Sequence, residues 1–429
     1  MNGNECNGIM LTREYQKFIQ AISTFRNHHC DDQAAGPAVF IGFGVLGHFP
    51  SLGAQAADDL RKLFGDRVVA NLENVVYQSQ DALTNLGYRS FGLKSTSPWN
   101  TSVPSKVLLQ PIIHTTEIPT QAAPIPVKAP APSTQPHGGA QLVSSQTSKP
   151  VLLAPWSMNP LRPFGTIMGE GQWAPYIQDA SGTIVAYRTF LQPDPFRAYA
   201  LPAIVAFDLK NIQLHFVLGS VEPQSSVVVD RSGRIPQSDL RPGVLLAAFN
   251  GGFKAQHGHF GVMVNGITLL PAKPDLGTIA IYSDGSVKIG AWGTDIKPDP
   301  GLIMWRQNGP LIIHNGIPNP HTAKPQDWSY TVSDITAVWR SGIGISADGR
   351  TLYYVAGPGL TASALTDTMA SVGAFQAMQL DINNYWVHFD EIKTDGSQLF
   401  ASPLLDSMQQ GIGRFLSSYR RDYFYITGR

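Results

Sequence analysis

The sequence predicts an α+β fold: strand-rich mixed sheets with packed helices, preceded by a small N-terminal α/β module and a Pro-rich linker. Three observations predict it. Only 14% of the 429 residues are charged, against about 25% in an average globular chain, while 41 Gly and 32 Pro supply frequent turns. Short apolar runs separated by turn signals recur from residue 171 to the C-terminus, as in strand-rich domains. One segment, residues 360–374, instead repeats its apolar positions at helical spacing.

The first 95 residues read as a separate α/β module. Residues 12–28 place Tyr15, Phe18, Ile19, Ile22 and Phe25 near one helical face, and 38–41 is a short apolar strand. A second helix over 54–64 closes at Gly65, and 67–76 reads as another strand. Gly42, Gly44 and Gly47 follow the first strand with the spacing of a dinucleotide-binding turn. Pro50 comes too soon for a helix to open there, and Glu73 lies beyond the about 20 residues expected, which leaves a glycine-rich turn. Residues 96–160 interleave Pro124, Pro126, Pro130, Pro132 and Pro136 with Ala, Thr, Ser and Gln. Such a tether is too poor in apolar surface to pack a core.

Residues 161–429 form the main domain. Strands are expected at 171–173, 183–187, 204–208 and 214–217, then at 244–249, an unbroken apolar run typical of a strand buried on both faces. That run ends in Asn250-Gly251-Gly252-Phe253, where two glycines let the backbone turn and approach a ligand closely. Asn265-Gly266 joins 260–264 to 267–270 in a type I′ hairpin, and Asp284-Gly285 joins 278–282 to 287–289. Residues 298–330, rich in Pro, Asn, His and Trp, read as an irregular loop of the kind that covers binding sites.

Strand resumes at 335–339. Ile343 and Ile345, then Leu352 and Tyr354, alternate with small or polar residues across an Asp348-Gly349 hairpin turn. Thr361 or Ser363 caps the helix that follows, Leu365, Met369 and Val372 give it an apolar face, and Gly373 ends it. A strand with Ala377, Met378 and Leu380 then delivers one carboxylate, Asp381, at its C-terminal end. A strand at 386–389, a helix at 404–419 and a last strand over 420–425 complete the expectation.

The Asn250-Gly251-Gly252-Phe253 turn, Arg340-Ser341 ahead of the Asp348-Gly349 hairpin, the helix, and Leu380-Asp381 occur in an order that resembles the phosphodiester glycosidase family. The resemblance runs roughly from 162 to 390, about half the chain. The family has Arg-Thr where this chain has Arg340-Ser341, and three glycines where it has Ile382-Asn383-Asn384. The resemblance implies a phosphodiester glycosidase-like domain that hydrolyses a sugar-1-phosphodiester of a surface glycan or glycoconjugate. It implies three catalytic residues: Asp381 as general base or charge stabiliser at the anomeric carbon, Arg340 as the phosphate partner, and Asn250 as a donor to a sugar hydroxyl or phosphate oxygen. Gly251, Gly252, Phe253, Asn383 and Asn384 then line the substrate. Asn tolerates the left-handed turn that the glycines would make, whereas Ile382 does not. The alternative is therefore a catalytically degenerate relative that binds a glycan or cell-wall polymer.

His257 and His259 lie two apart, on one face if the segment is a strand. They suit a proton shuttle or two ligands of a metal, but no third ligand is assigned. They are placed with the substrate-binding residues, and no metal or cofactor is expected. Trp305, Trp328, Tyr385 and Trp386 are candidate sugar-stacking platforms.

Lys+Arg and Asp+Glu number 31 each, which gives no basic excess for nucleic acid. Cys6 and Cys30, the two cysteines, cannot build a disulfide framework or a thiolate zinc site in the main domain. No run of about 18 apolar residues is present to span a membrane. Residues 1–10 lack the basic patch and apolar run of a leader. A low-charge Pro/Ser/Thr tether nonetheless points to an extracytoplasmic or secreted setting.

Overall fold

The computed structural model describes residues 60–61, 63–90, 93–98, 107–109, 156–319 and 335–429, all within one compact unit, Ala57–Arg429. The helix and strand expected at 12–28 and 38–41, the turn at 42–47, Trp328 and most of the linker lie outside the described residues.

The first half of the fold contributes β1 (Val107–Leu109), β2 (Ala174–Gln178), β3 (Ile184–Phe190), β4 (Ala203–Asp208), β5 (Ile212–Val217), β6 (Leu245–Asn250), β7 (Val262–Val264), β8 (Ile267–Leu270) and β9 (Leu276–Tyr282). The second contributes β10 (Val287–Ala291), β11 (Leu302–His314), β12 (Ile317–Pro318), β13 (Val338–Ile345), β14 (Thr351–Leu360), β15 (Gln376–Ile382), β16 (Phe389–Asp395), β17 (Gln398–Pro403) and β18 (Tyr423–Gly428). Helices α1 (Asp66–Ser90) and α2 (Ala362–Ser371) accompany them.

Two sheets result. One has six strands in the order β1-β17-β16-β6-β18-β5. The other has twelve, running β10-β9-β11-β15-β13-β14-β4-β3-β2, with β7 and β12 branching from β11 and β8 pairing with β7. The strand-rich expectation holds, but the sheets are not mixed: every ladder between described strands is antiparallel.

The main core lies between the sheets. Phe249, Phe389 and Phe424 of the smaller sheet meet Phe207, Tyr354, Met378 and Leu380 of the larger. Phe249 stacks on Phe389 and Phe424 at centroid distances of 6.0 and 5.6 Å, a geometry worth about 0.5–1.5 kcal/mol per pair beyond burial. The larger sheet is buried on its other face too, where Tyr353, Val355, Ile313 and Ala377 pack under Leu365 and Met369 of α2. This is why Tyr353 and Tyr354 can both be buried although they face opposite ways.

The turn chemistry is realised as expected. Asn265 and Gly266 both have positive φ, 52° and 77°, which a type I′ hairpin requires. The Thr361 hydroxyl accepts the Ala364 N–H and caps α2, and Gly373 takes φ 76° just beyond it.

Several elements differ from expectation. Residues 67–76 are helix, part of α1, because Val69, Leu72 and Val76 recur at helical and not strand spacing. Of the loop expected at 298–330, residues 298–319 are described, and most of them are strand: β11 runs for 13 residues, and Gln307-Asn308-Gly309-Pro310 is a bulge where pairing to β9 shifts register. The helix expected over 404–419 is a run of turns with one 3₁₀ turn, Arg414–Leu416. Gly411 and Gly413 at φ 75° and 76° break it. The strand expected at 386–389 begins only at Phe389.

Helix α1 makes contacts with the strand-rich domain. Asp81 takes Arg197 bidentately, with Nε at 2.9 and 3.0 Å and Nη2 at 2.8 Å, and also accepts from the Tyr199 hydroxyl. Asn74 accepts the Thr336 hydroxyl at 2.9 Å.

Candidate active site

Strand β6 ends at Asn250, whose carboxamide is fully used. Its Oδ1 accepts the Tyr354 hydroxyl at 2.8 Å and the His388 N–H at 3.2 Å. Its Nδ2 donates to Ser341 Oγ at 2.9 Å and to the Gly251 carbonyl at 3.0 Å. Asn250 is in the smaller sheet, whereas Ser341 and Tyr354 are in the larger, so this side chain bolts the two together. Ser341 passes the connection on: the Asp381 N–H donates to its Oγ at 3.2 Å. The sequence motif residues Asn250 and Asp381 are thus neighbours through one hydroxyl, and Asn250 acts as a brace.

The two glycines that follow make room for protein, not for an open cleft. A Cβ on Gly251 would sit 2.7 Å from the Asp422 carbonyl oxygen, and one on Gly252 would sit 3.1 Å from Asn308 Oδ1 and 3.2 Å from the Arg306 guanidinium. Phe253 donates its N–H to Asn308 Oδ1 at 3.1 Å, and its ring packs with Phe260, Val338, Ile382 and Tyr77 of α1. Asn308 in turn donates to the Gln379 carbonyl at 2.8 Å and to the Leu380 carbonyl, tying the bulge of β11 to β15.

Strand β15 carries a bulge of its own. Gly342 pairs with Gln379 and Arg340 pairs with Ile382, so between these pairs one residue of β13, Ser341, opposes two of β15, Leu380 and Asp381. The extra residue turns Asp381 away from Gln379. The consequence decides which arginine meets the carboxylate. Arg340, expected as the phosphate partner, is 1% exposed and donates to the Leu360 carbonyl at 2.8 Å, Gln379 Oε1 at 2.8 Å and the Thr336 carbonyl at 3.1 Å. Its fork braces the sheet. The arginine at Asp381 is Arg421, with Nη2 at 2.6 Å from Asp381 Oδ2 and 2.6 Å from the Gly252 carbonyl. The sequence signal for it was the charged triplet Arg420-Arg421-Asp422 in a charge-poor chain.

Burial pushes the Asp381 carboxyl from 3.8 up to about 6, against the opposing pull of Arg421, the Ile382 N–H and Lys254, and with a further push from Asp422. Burial alone would depress Arg421, but Asp381 and Asp422 hold its guanidinium above the ordinary value. Behind this pair lies a second one, Arg306 Nε to Asp422 Oδ2 at 2.7 Å, with both side chains 1% exposed. Arg306 also donates to the carbonyls of Phe253 and Gln307, at 2.6 and 2.7 Å. Glu222, also buried, accepts the Ala255 N–H at 3.0 Å.

The loop after β15 supplies an aromatic cover. Asn383 takes φ 71°, the left-handed turn expected of it, and its Oδ1 accepts the N–H groups of Tyr385 and Trp386 at 3.0 and 3.1 Å. Trp386 is half-buried, with the Arg421 guanidinium 4.5 Å and the Lys254 ammonium 5.1 Å from its ring centre. Asn384 is exposed. Ile382 is 7% exposed and fills the space between Phe253 and Tyr77.

The histidines do not share a face. His257 is half-buried in a 3₁₀ turn, while His259 is exposed at φ 45°. Burial, then the charges of Arg61, Arg421 and Lys254, hold His257 well below the usual imidazole value, so it is neutral at pH 7. No group of three metal-ligating side chains occurs among the described residues.

A buried acid of raised proton affinity, an arginine, a lysine and an indole thus come together after β15. Residues 244–381 match the family model described as phosphodiester glycosidase, so the chain carries a phosphodiester glycosidase-like domain. Among solved structures, the chain is similar to the zebrafish N-acetylglucosamine-1-phosphodiester alpha-N-acetylglucosaminidase catalytic domain auto-inhibited by pro-peptide. Identity there is 13% over 59% of this chain and 86% of that one, with a TM-score of 0.37. A hypothetical protein from Synechocystis is 11% identical over 60% of this chain and 64% of its own, with a TM-score of 0.30. No curated protein matches. No helix among the described residues is long and apolar enough to cross a membrane.

Proposed function

We propose that this protein hydrolyses the bond between an anomeric carbon and phosphate in a sugar-1-phosphodiester of a surface glycan or glycoconjugate, outside the cytoplasm. The observation that carries the reading is the buried Asp381–Arg421 pair, whose carboxylate sits near the end of β15 and is the last residue of the matched segment. The phosphate monoester that departs is a good leaving group, so the reaction needs one proton-transferring carboxyl and a cation for that phosphate more than it needs a strong acid. Asp381 serves as the first and Arg421 as the second. Trp386 offers a ring for the sugar to stack on.

A second reading, a glycan-binding relative without turnover, is favoured by one feature: Ile382 and Phe253 fill the space beside Asp381. The two separate in one assay. Wild type and Asp381→Asn are tested on a panel of sugar-1-phosphodiesters, N-acetylglucosamine first. Turnover that falls by about 10²–10⁴-fold in the variant supports the glycosidase. Glycan binding with no turnover by wild type on any sugar supports the binder.

A further inference from the structure

Helix α1 turns an apolar stripe outward. Val68, Leu72, Val75, Ser79, Ala82 and Leu86 are spaced alternately by four and three residues, the period of a coiled-coil seam. Val68, Val75 and Leu86 are between 50% and 58% exposed, Ser79 and Ala82 are exposed, and Leu72 is half-buried. The charges of this stretch lie off the stripe. Glu73 and Asp81 are ion-paired round the helix with Arg61 and Arg197, at 2.6 and 2.8 Å. Ser79, the polar member of the stripe, donates its hydroxyl to the Val75 carbonyl at 2.8 Å, so a neighbour can cover it without stranding a donor. Val69 and Ala70 are buried on the inner side. A helix that is apolar on both sides is one that is covered on both.

We infer that this stripe is the interface of a homodimer, in which α1 packs antiparallel on α1 of a second copy about a two-fold axis level with Tyr77. Residues equidistant from position 77 then face one another. Val68 meets the partner's Leu86, Leu72 meets the partner's Ala82, and Val75 meets the partner's Ser79. The inner layers set a branched side chain against a small one, so the helices can approach closely, and the outer layers close the ends with two branched residues. The flanks agree. Gln78 meets its own copy and Asn71 meets the partner's Asn85. An amide both donates and accepts, so it complements itself, whereas a charge on the axis would meet its like. No Lys or Arg lies between 68 and 88, which sets the stripe apart from a helix built for an anionic membrane surface, where basic flanks are the rule. From Val68 to Leu86 the stripe is about 27 Å long. Covered on two copies, at a width of about 10 Å, it removes on the order of 1,000 Å² from water, the lower bound of a specific interface. The same helix packs Tyr77 on Phe253 and Ile382, so a partner on its outer side also holds the wall beside Asp381.

The test is sedimentation velocity of the full chain across roughly 1 to 100 μM, the range in which a small interface associates. Wild type should pass from monomer to dimer within it. Val75→Glu puts a carboxylate into each central layer and should weaken the dimer by about a hundredfold or more. Ser79→Leu fills the same layers and should tighten it by about tenfold. Both positions are exposed in the single chain, so neither change should move the unfolding midpoint of the monomer. Strand direction is read by oxidising a mixture of Val75→Cys and Ser79→Cys chains. A disulfide between positions 75 and 79, mapped by peptide mass and made by neither variant alone, is the expected product, and a bridge from 79 to 79 in Ser79→Cys alone would overturn the antiparallel pairing. A wild type that stays monomeric to the top of the range, or a dimer indifferent to both Val75→Glu and Ser79→Leu, would overturn the interface. A monomer whose unfolding midpoint falls in Val75→Glu would assign the stripe to another part of this chain and not to a second copy.

Discussion

Replacing Asp381 by Asn should change how stability depends on pH, and the size of the change follows from the burial of that carboxyl. In the folded chain its affinity for a proton is raised from 3.8 to about 6. The sign follows directly. The native state holds the extra proton more tightly than the unfolded chain, so the stability that Asp381 contributes is complete below about pH 4 and is lost as pH rises through 6. At about 1.4 kcal/mol for each tenfold change in proton affinity, that loss is about 3 kcal/mol. Asn cannot titrate. It also leaves Arg421 without its carboxylate, but that penalty hardly varies with pH. Urea unfolding of both proteins from pH 4 to pH 7 isolates the effect, because every other group cancels in the difference. The variant should gain about 2 kcal/mol relative to wild type across that window, the remainder lying below pH 4. A difference that stays flat would refute the claim that burial outweighs the Arg421 ion pair at this carboxyl.

Three further substitutions probe the frame around the site. Tyr354→Phe deletes the hydroxyl that Asn250 Oδ1 accepts at 2.8 Å, and should lower unfolding free energy by about 1–2 kcal/mol, read in the same urea titration at pH 7. Gly251→Ala places a methyl 2.7 Å from the Asp422 carbonyl oxygen. It should destabilise by about 1–3 kcal/mol and depress turnover, because the backbone it pushes also carries Arg421. Arg306→Met strands Asp422 in an interior where it is 1% exposed, and should cost about 3–5 kcal/mol by calorimetric unfolding. A neutral result there would show that water reaches Asp422.

Local signals in the sequence were reliable wherever one residue's conformation settled the matter. Asn265-Gly266, Thr361 and Gly373 specify their turns and caps from φ preference and hydrogen-bonding reach alone. Asp381 was legible because an apolar run ending in one acid marks the end of a buried strand. What stayed hidden depended on register. A single bulge between Arg340 and Gly342 sends Arg340 to Gln379 and leaves Asp381 to Arg421, 40 residues away in sequence. Periodicity cannot report an extra residue that the partner strand alone reveals. The same limit applies to β11, where Gln307-Asn308-Gly309-Pro310 shows as a bulge only against its neighbours. Ser341 was noted as a replacement for Thr, but its role as the link between Asn250 and Asp381 appears only once both sheets are in place.

The Asn250 brace has a kinetic meaning. Its partners Ser341, Tyr354 and His388 lie 91, 104 and 138 residues away, on two strands of the larger sheet and in the loop before β16. No subset of the chain can assemble it early, since each contact closes a long loop before it returns any free energy. Hairpins such as β13–β14 can form on their own clock, while the brace must wait for the two sheets to dock. Refolding followed by far-ultraviolet circular dichroism should therefore run ahead of refolding followed by the environment of Trp386, which rides on the loop beside that brace.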